Sequence, residues 1–244
     1  MTAPSAPQSS PRLTGRVALV TGASRGIGAA VAEALAAEGA HVVLLARTVG
    51  GLEELDDRIR AAGGAATLIP QDLMEHDKLD SLGPALFERF KRLDILVAAA
   101  AHLGVVGPVS HSVPKDWGRC MDVNLTANMR LIRTLDPLLR GSDAGRAVFL
   151  TDRVGSRPTA YWNGYAASKA GLEMMVRTYA AETLNTPLRV NLFDPGPTAT
   201  ALRAKAFPGE DGLALHRTAA VAPAIVALAL PTEQPHGALV TMPA

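Results

Sequence analysis

Tyr165 and Lys169 stand four residues apart in a stretch of helical pattern, so both side chains leave the same face of one helix. A phenol ordinarily ionises at about pH 10, and a neighbouring ammonium favours its anion, which makes such a pair a usable proton donor and acceptor. Taken alone, the spacing is equally that of two unrelated residues on any helix. A second pattern lies near the start of the chain. Thr21-Gly22-Ala23-Ser24-Arg25-Gly26-Ile27-Gly28 follows the apolar run Val17 to Val20 and opens a helix. Glycines there let the chain turn sharply and let backbone N–H groups approach a pyrophosphate at the positive helix end. A glycine cluster alone is ordinary loop punctuation. Behind a buried strand at the head of an alternating chain, it predicts a dinucleotide site lined by Gly22, Ser24, Arg25, Gly26, Ile27 and Gly28.

The elements that must position these groups alternate from about residue 16 onward. Short apolar runs read as strands buried on both faces: Val17 to Val20, Val42 to Leu45, Thr67 to Pro70, Ile95 to Ala101, Ala147 to Thr151, Arg189 to Phe193 and Ala238 to Met242. Between them the spacing predicts helices, among them Lys78 to Leu93, Pro114 to about Leu139 and Tyr161 to Leu184. Repeated βα units imply a doubly wound α/β domain of Rossmann type, with a mostly or wholly parallel seven-stranded sheet over residues 14–244. Residues 1–13, rich in Pro, Ser and Ala, read as a disordered arm without a secretory signal.

With 48% hydrophobic residues but only 4% aromatic, the core must be built from Ala, Val and Leu. A net charge of +1, with no basic stripe, argues against nucleic acid or an anionic membrane as partner. No apolar run approaches a membrane span, so a cytoplasmic location is the expectation. Cys120 is the only cysteine, which excludes an intramolecular disulfide and a cysteine-rich metal site.

The spacing T-G-x-x-x-G-x-G resembles the short-chain dehydrogenase/reductase family, and further motifs follow in that family's order over residues 14 to 242. They are Asp72 after the third strand, Asn124 in the long helix, Tyr165-x-x-x-Lys169, and Pro195-Gly196 followed by Thr200. The resemblance implies an NADP(H)- or NAD(H)-dependent hydride transfer with Tyr165 as acid/base, supported by Lys169 and by Asn124, which would anchor a water in the proton relay. It implies cofactor contacts from Asp72 and Leu73 near the adenine, from Ala98 at the end of the fourth strand, and from Pro195, Gly196, Thr198 and Thr200 near the nicotinamide. The second strand ends Leu44-Leu45-Ala46-Arg47, with Ala46 where an NAD enzyme places an acid. Arg47 and Arg25 could grip a 2′-phosphate, so NADP(H) is expected over NAD(H).

Two departures stand out. Asp152 occupies the position of the family's catalytic serine, thirteen residues before Tyr165, and Ala98-Ala99-Ala100-Ala101 replaces Asn-Asn-Ala-Gly. An ionised aspartate has no proton to donate and repels an alkoxide or tyrosinate. It could work if protonated, if the substrate is cationic, or if it accepts a substrate hydroxyl; it could also simply pair with Arg153 or Arg157. Thr151 is a doubtful substitute, because adjacent strand residues face opposite ways. The leading expectation is an oxidoreductase acting on a small-molecule carbonyl or secondary alcohol. The alternative is a nucleotide-binding protein with little or no dehydrogenase activity. The segment Ala201 to Leu215, with Phe207, stands at the family's substrate lid, and His102, Trp162 and Asn163 are further candidates to line the pocket. The resemblance also implies a homotetramer or homodimer joined through the two long helices.

Overall fold

The computed structural model describes residues 11–242. A seven-stranded sheet, parallel throughout, forms the centre in the order β3-β2-β1-β4-β5-β6-β7. The strands are β1 (Val17–Thr21), β2 (His41–Ala46), β3 (Ala65–Pro70), β4 (Ile95–Ala98), β5 (Arg146–Leu150), β6 (Arg189–Asp194) and β7 (Leu239–Thr241). Central strands β1, β4 and β5 are buried at every position, which is why they read as continuous apolar runs rather than alternating ones. The order reverses between β1 and β4, which opens a crevice above the carboxyl ends of these neighbours.

Helices cover both faces. On one side α1 (Gly26–Ala37), α2 (Val49–Ala61) and α9 (Thr218–Ala229) share a core with residues such as Val20, Leu44 and Phe193. On the other, α4 (Leu82–Phe90), α6 (Ala127–Gly141) and α7 (Asn163–Glu182) pack over Leu19, Leu96 and Phe149. No helix among the described residues is long and apolar enough to cross a membrane.

Several expected boundaries move, each for a local reason. The helix expected from Lys78 to Leu93 is two: α3 (His76–Asp80) and α4, with Ser81 between them. Pro84 lacks the N–H that a continuous helix would bond to Asp80, so the helix restarts there. The fourth strand ends at Ala98, and Ala99 to Ala101 leave the sheet. The long helix at Pro114 is α5 (Pro114–Met121) joined to α6 through one π-helical turn, Asp122–Thr126. The body also begins before residue 14. Leu13 is fully buried and its N–H donates to the Glu38 carbonyl (2.7 Å), while Arg12 Nε donates to Glu38 Oε2 (2.9 Å). The rest of the expected arm, residues 1–10, lies outside the described residues. A short α8 (Ala201–Ala206) occupies the segment expected to cover the site.

Candidate active site

The glycine turn sits above the end of β1. Gly22 has φ +68°, and a Cβ there would come within 2.8 Å of the Ala100 Cα; a Cβ on Gly28 would lie 2.4 Å from the Gly22 carbonyl oxygen. The cradle is therefore walled by bare backbone, which is the feature a closely approaching pyrophosphate requires. The Ala29 N–H bonds the Arg25 carbonyl, so the amides of Gly26, Ile27 and Gly28 precede the first helical bond and remain available at the positive end of α1. Ser24 packs beneath Gly51, where a Cβ would be 3.0 Å from its own. A dinucleotide fits these residues.

Around the cradle stand the other expected contacts. Arg25 is exposed on one flank. Arg47, also exposed, reaches toward Asp72 at 3.7 Å, a loose pair across the ends of β2 and β3. Asp72 accepts the Met74 N–H (3.0 Å) and leads into buried Leu73. Ala98 is buried at the end of β4, and Thr21 Oγ1 accepts the Ala100 N–H (3.3 Å), so a hydroxyl from β1 steadies the alanine run. After β6, Gly196 N–H donates to Asp194 (2.9 Å) and Thr198 Oγ1 donates to the carbonyls of Pro195 (3.0 Å) and Gly196 (3.2 Å). Thr200 caps α8 by accepting the Arg203 N–H (3.1 Å), and its methyl would stand 3.7 Å from a Cβ on Gly26. The turn after β6 thus meets the glycine turn after β1.

Tyr165 and Lys169 emerge together from α7, as the four-residue spacing requires. Tyr165 is buried in an apolar cluster with Leu103, Val154 and Trp162, against which Leu202 and Ala206 of α8 pack. The Trp162 ring lies between Tyr165 and Phe207, 5.6 Å from each centroid. Burial, then the charges of Asp152 and Asp194, push the Tyr165 hydroxyl well above its ordinary pKa. Lys169 donates to the Leu150 carbonyl at the end of β5 (2.8 Å). Its complete burial draws its pKa down to about 8, against the opposing pull of Asp152, Glu173 and Asp194.

Asn124 lies in the π-turn and is fully buried. Its side chain clasps the loop after β4, accepting the His102 N–H (2.7 Å) and donating to the His102 carbonyl (2.9 Å) and to Ser168 Oγ (2.9 Å). Its own carbonyl accepts from Asn128 Nδ2 (2.8 Å). Ser168 in turn donates to the Tyr165 carbonyl (2.7 Å), so the asparagine braces the helix that carries the phenol.

Asp152 follows β5 directly. It accepts the Val154 N–H (3.1 Å), and its charge is among those that raise the Tyr165 pKa; among the described residues it makes no ion pair with Arg153 or Arg157. Thr151 turns away and donates to Glu173 (2.9 Å), so it cannot stand in for the missing serine. His102 presents its ring to Asp116 at 3.7 Å, and Asn163 Nδ2 donates to the Gly107 carbonyl (3.0 Å), so both act on the loop beside the site. Cys120 is buried with its pKa raised to about 11, chiefly by burial, consistent with an inert thiol.

Glu173 was not singled out by the sequence. It is almost fully buried and holds Thr151, Ser156 Oγ (2.8 Å) and Arg177 (3.0 Å), clamping the turn that bears Asp152 onto α7. The signal was present: Glu173 continues the spacing of Tyr165 and Lys169 by one more helical turn.

Comparison with known proteins decides the family. The family model for short chain dehydrogenases matches residues 16–211. The chain belongs to the short-chain dehydrogenase family. Its relative YciK of Escherichia coli strain K12, an oxidoreductase described as uncharacterized, is 39% identical over 217 residues, covering 86% of this chain and 84% of YciK. A short-chain dehydrogenase from Shigella flexneri 2a, solved with NADP, superposes with a TM-score of 0.91 at 35% identity, covering 96% of this chain and 99% of that one. One from Escherichia coli CFT073, solved with NADPH, gives 0.89 at 35% identity, with the same coverage of 96% and 99%. As a short-chain dehydrogenase the protein is an oxidoreductase of Rossmann-type fold, and both the family and the doubly wound sheet expected from the sequence are confirmed.

Proposed function

We propose that the chain is an NADP(H)-dependent oxidoreductase that moves hydride between the nicotinamide and a carbonyl or secondary alcohol of a small molecule. One observation carries the reading. Tyr165 and Lys169 are presented from α7 at the same end of the sheet as the bare-backbone cradle of Gly22 and Gly28, with the turn after β6 linking them. Gly26, Ile27 and Gly28 would hold the pyrophosphate through their amides, and Thr198 and Thr200 would flank the nicotinamide. When bound, the cofactor supplies or accepts the hydride. Arg47 is exposed past the end of β2, held only by its loose pair with Asp72, and Ala46 leaves no acid at the end of that strand to repel a 2′-phosphate. The NADP and NADPH complexes of the two relatives support the phosphorylated cofactor.

The chain's own residues then do the proton work. Tyr165, held protonated by burial and by its carboxylate neighbours, is a donor to a substrate oxygen. Lys169 and Asn124 fix it, the first through the end of β5 and the second through Ser168. Trp162, Leu103 and the α8 residues Leu202 and Ala206 wall the phenol from water, which fits an apolar carbonyl compound. Exposed Met129 of α6 and Met174 of α7 fit a homodimer or homotetramer formed through these helices.

The second reading, a nucleotide-binding protein without dehydrogenase activity, is favoured by the Asp152 carboxylate, whose charge is among those that raise the Tyr165 pKa. Purified protein with NADPH and a panel of aldehydes and ketones separates the two. NADPH consumption with at least one carbonyl supports the oxidoreductase; tight NADPH binding with no turnover on any panel member supports the second reading instead.

A further inference from the structure

Tyr161 carries a bulky side chain where the backbone favours none. Its φ is +74°, in the left-handed region where such a residue is strained. Lys91, the other non-glycine residue with positive φ among the described residues, closes α4, where that conformation is ordinary. Tyr161 ends no helix, its ring is 60% exposed, and it joins none of the buried apolar clusters. It stands at the rim of a cavity of about 240 Å³ between the loop after β4 and α5. Gly107, in the cavity wall, donates its N–H to the Tyr161 carbonyl (2.7 Å) and is bound by Asn163 on the same wall. Val105, Val106, Val113 and Trp117 give that wall exposed apolar surface. The cavity also adjoins the phenol. Asn163 is two residues from Tyr165, and a Cβ on Gly164 between them would lie 3.2 Å from the Trp117 ring. Cys120 lines the cavity too; a Cβ on Gly104 would lie 2.6 Å from its Sγ, and the adjoining Leu103 packs with Tyr165.

We infer that this cavity takes the hydrocarbon chain of a substrate whose carbonyl or alcohol group reacts at Tyr165, with Tyr161, Val113 and Trp117 as specificity-determining residues. The inference rests on the oxidoreductase reading above and names its substrate class: chain-bearing aldehydes, ketones and secondary alcohols rather than compact ones. The volume fits that division of labour. A pocket that encloses a whole drug-sized ligand has roughly 300–1,000 Å³, so the smaller cavity suits one arm of a molecule whose reacting end lies elsewhere. Asp116 also lines it and disfavours an anionic terminus, so the chain is uncharged. The bonds among Gly107, Tyr161 and Asn163 hold the wall in place before a chain arrives, which lowers the ordering cost of binding. A turn alone at position 161 would be served best by glycine. The strained tyrosine instead keeps an aromatic face at the entrance, where a chain can lie against it.

With NADPH, kcat/KM across methyl ketones from 2-butanone to 2-nonanone should rise about 4-fold per added methylene until the cavity is filled. Val113→Asp puts a charge in the wall while giving α5 a favoured N-cap, so it should fold as wild type does and cut the step to below about 2-fold. Tyr161→Gly relieves the left-handed strain, so its Tm should equal or exceed that of wild type. The same variant should lose at least about 10-fold in kcat/KM on 2-nonanone and less than about 2-fold on 2-butanone. A flat series in wild type, or a chain preference that survives either substitution, overturns the inference. A Tm well below wild type in Tyr161→Gly makes the ring a part of the fold and overturns the role given to it. A panel without any turnover sinks the oxidoreductase reading alone, and the cavity is then judged on the cofactor-free protein. There 1-octanol should change tryptophan fluorescence with a Kd at least about 10-fold below that of 1-butanol, and Val113→Asp should erase the difference. Equal Kd values in wild type, or a difference kept in Val113→Asp, overturn the assignment. A changed oligomeric state of Val113→Asp by light scattering, with the chain preference intact, gives the patch to a second copy of the chain and overturns it as well.

Discussion

Lys169→Met isolates what this site costs the fold. Burial lowers the Lys169 pKa from its ordinary 10.5 to about 8, a difference worth about 3 kcal/mol at 1.36 kcal/mol per pH unit. The sign follows from counting protons. Below about pH 8 the folded and unfolded chains both carry the proton, and the full cost of a buried charge is present. Between about pH 8 and 10.5 the folded chain releases its proton first, so the unfolded state binds more protons and unfolding free energy rises with pH. Above that window both are neutral and the cost is gone. Methionine has no proton to lose and fills similar space, while its missing bond to Leu150 is a constant loss at every pH. Cys120, Tyr165 and Tyr179 pull the other way in alkali, because their folded forms keep protons longer, but they are common to both proteins and cancel. The stability of Lys169→Met relative to wild type should therefore fall by about 3 kcal/mol between about pH 7 and about pH 10.5. Urea unfolding followed by tryptophan fluorescence at the two pH values measures it. A difference that stays constant would refute the buried-charge argument.

Other expectations concern the cradle and the clamp. Arg47→Ala should raise the NADPH Kd about 10-fold to 100-fold, as expected for a lost charge-assisted contact, and change NADH binding less than about 2-fold; equal losses by fluorescence titration would count against the phosphate reading. Gly28→Ala places a methyl 2.4 Å from the Gly22 carbonyl, so both coenzymes should lose binding at least about 100-fold and urea stability should drop by about 2 kcal/mol. Glu173→Ala leaves the buried Thr151 hydroxyl without its acceptor and should cost about 3 kcal/mol, whereas Glu173→Gln should stay within about 1 kcal/mol.

Much of this arrangement was legible in the residues. The buried strands announced themselves as apolar runs because both faces of a parallel sheet are covered, and the glycine turn followed from its place behind the first of them. What escaped the sequence depended on contacts between distant segments. Glu173 looks like one more helical acid until Thr151 and Ser156 are brought against it. Asp152 had several possible uses, and its bond from the Val154 N–H, without an ion pair to Arg153 or Arg157 among the described residues, could not be read from its neighbours in sequence. The break at Ser81 and the early end of β4 were hidden because periodicity survives a short interruption.

The π-helical turn at Asp122–Thr126 has a consequence for how this chain could change. Such a turn amounts to a single residue inserted into an otherwise regular helix, with α5 and α6 keeping their own faces on either side. Removing one residue would straighten the rod and leave Leu131, Leu135 and Leu139 seated in the core, while Asn124 would lose its grip on the loop beyond β4. Catalytic support could in that way be edited out of the molecule in one step, with the architecture left standing as a scaffold for other uses.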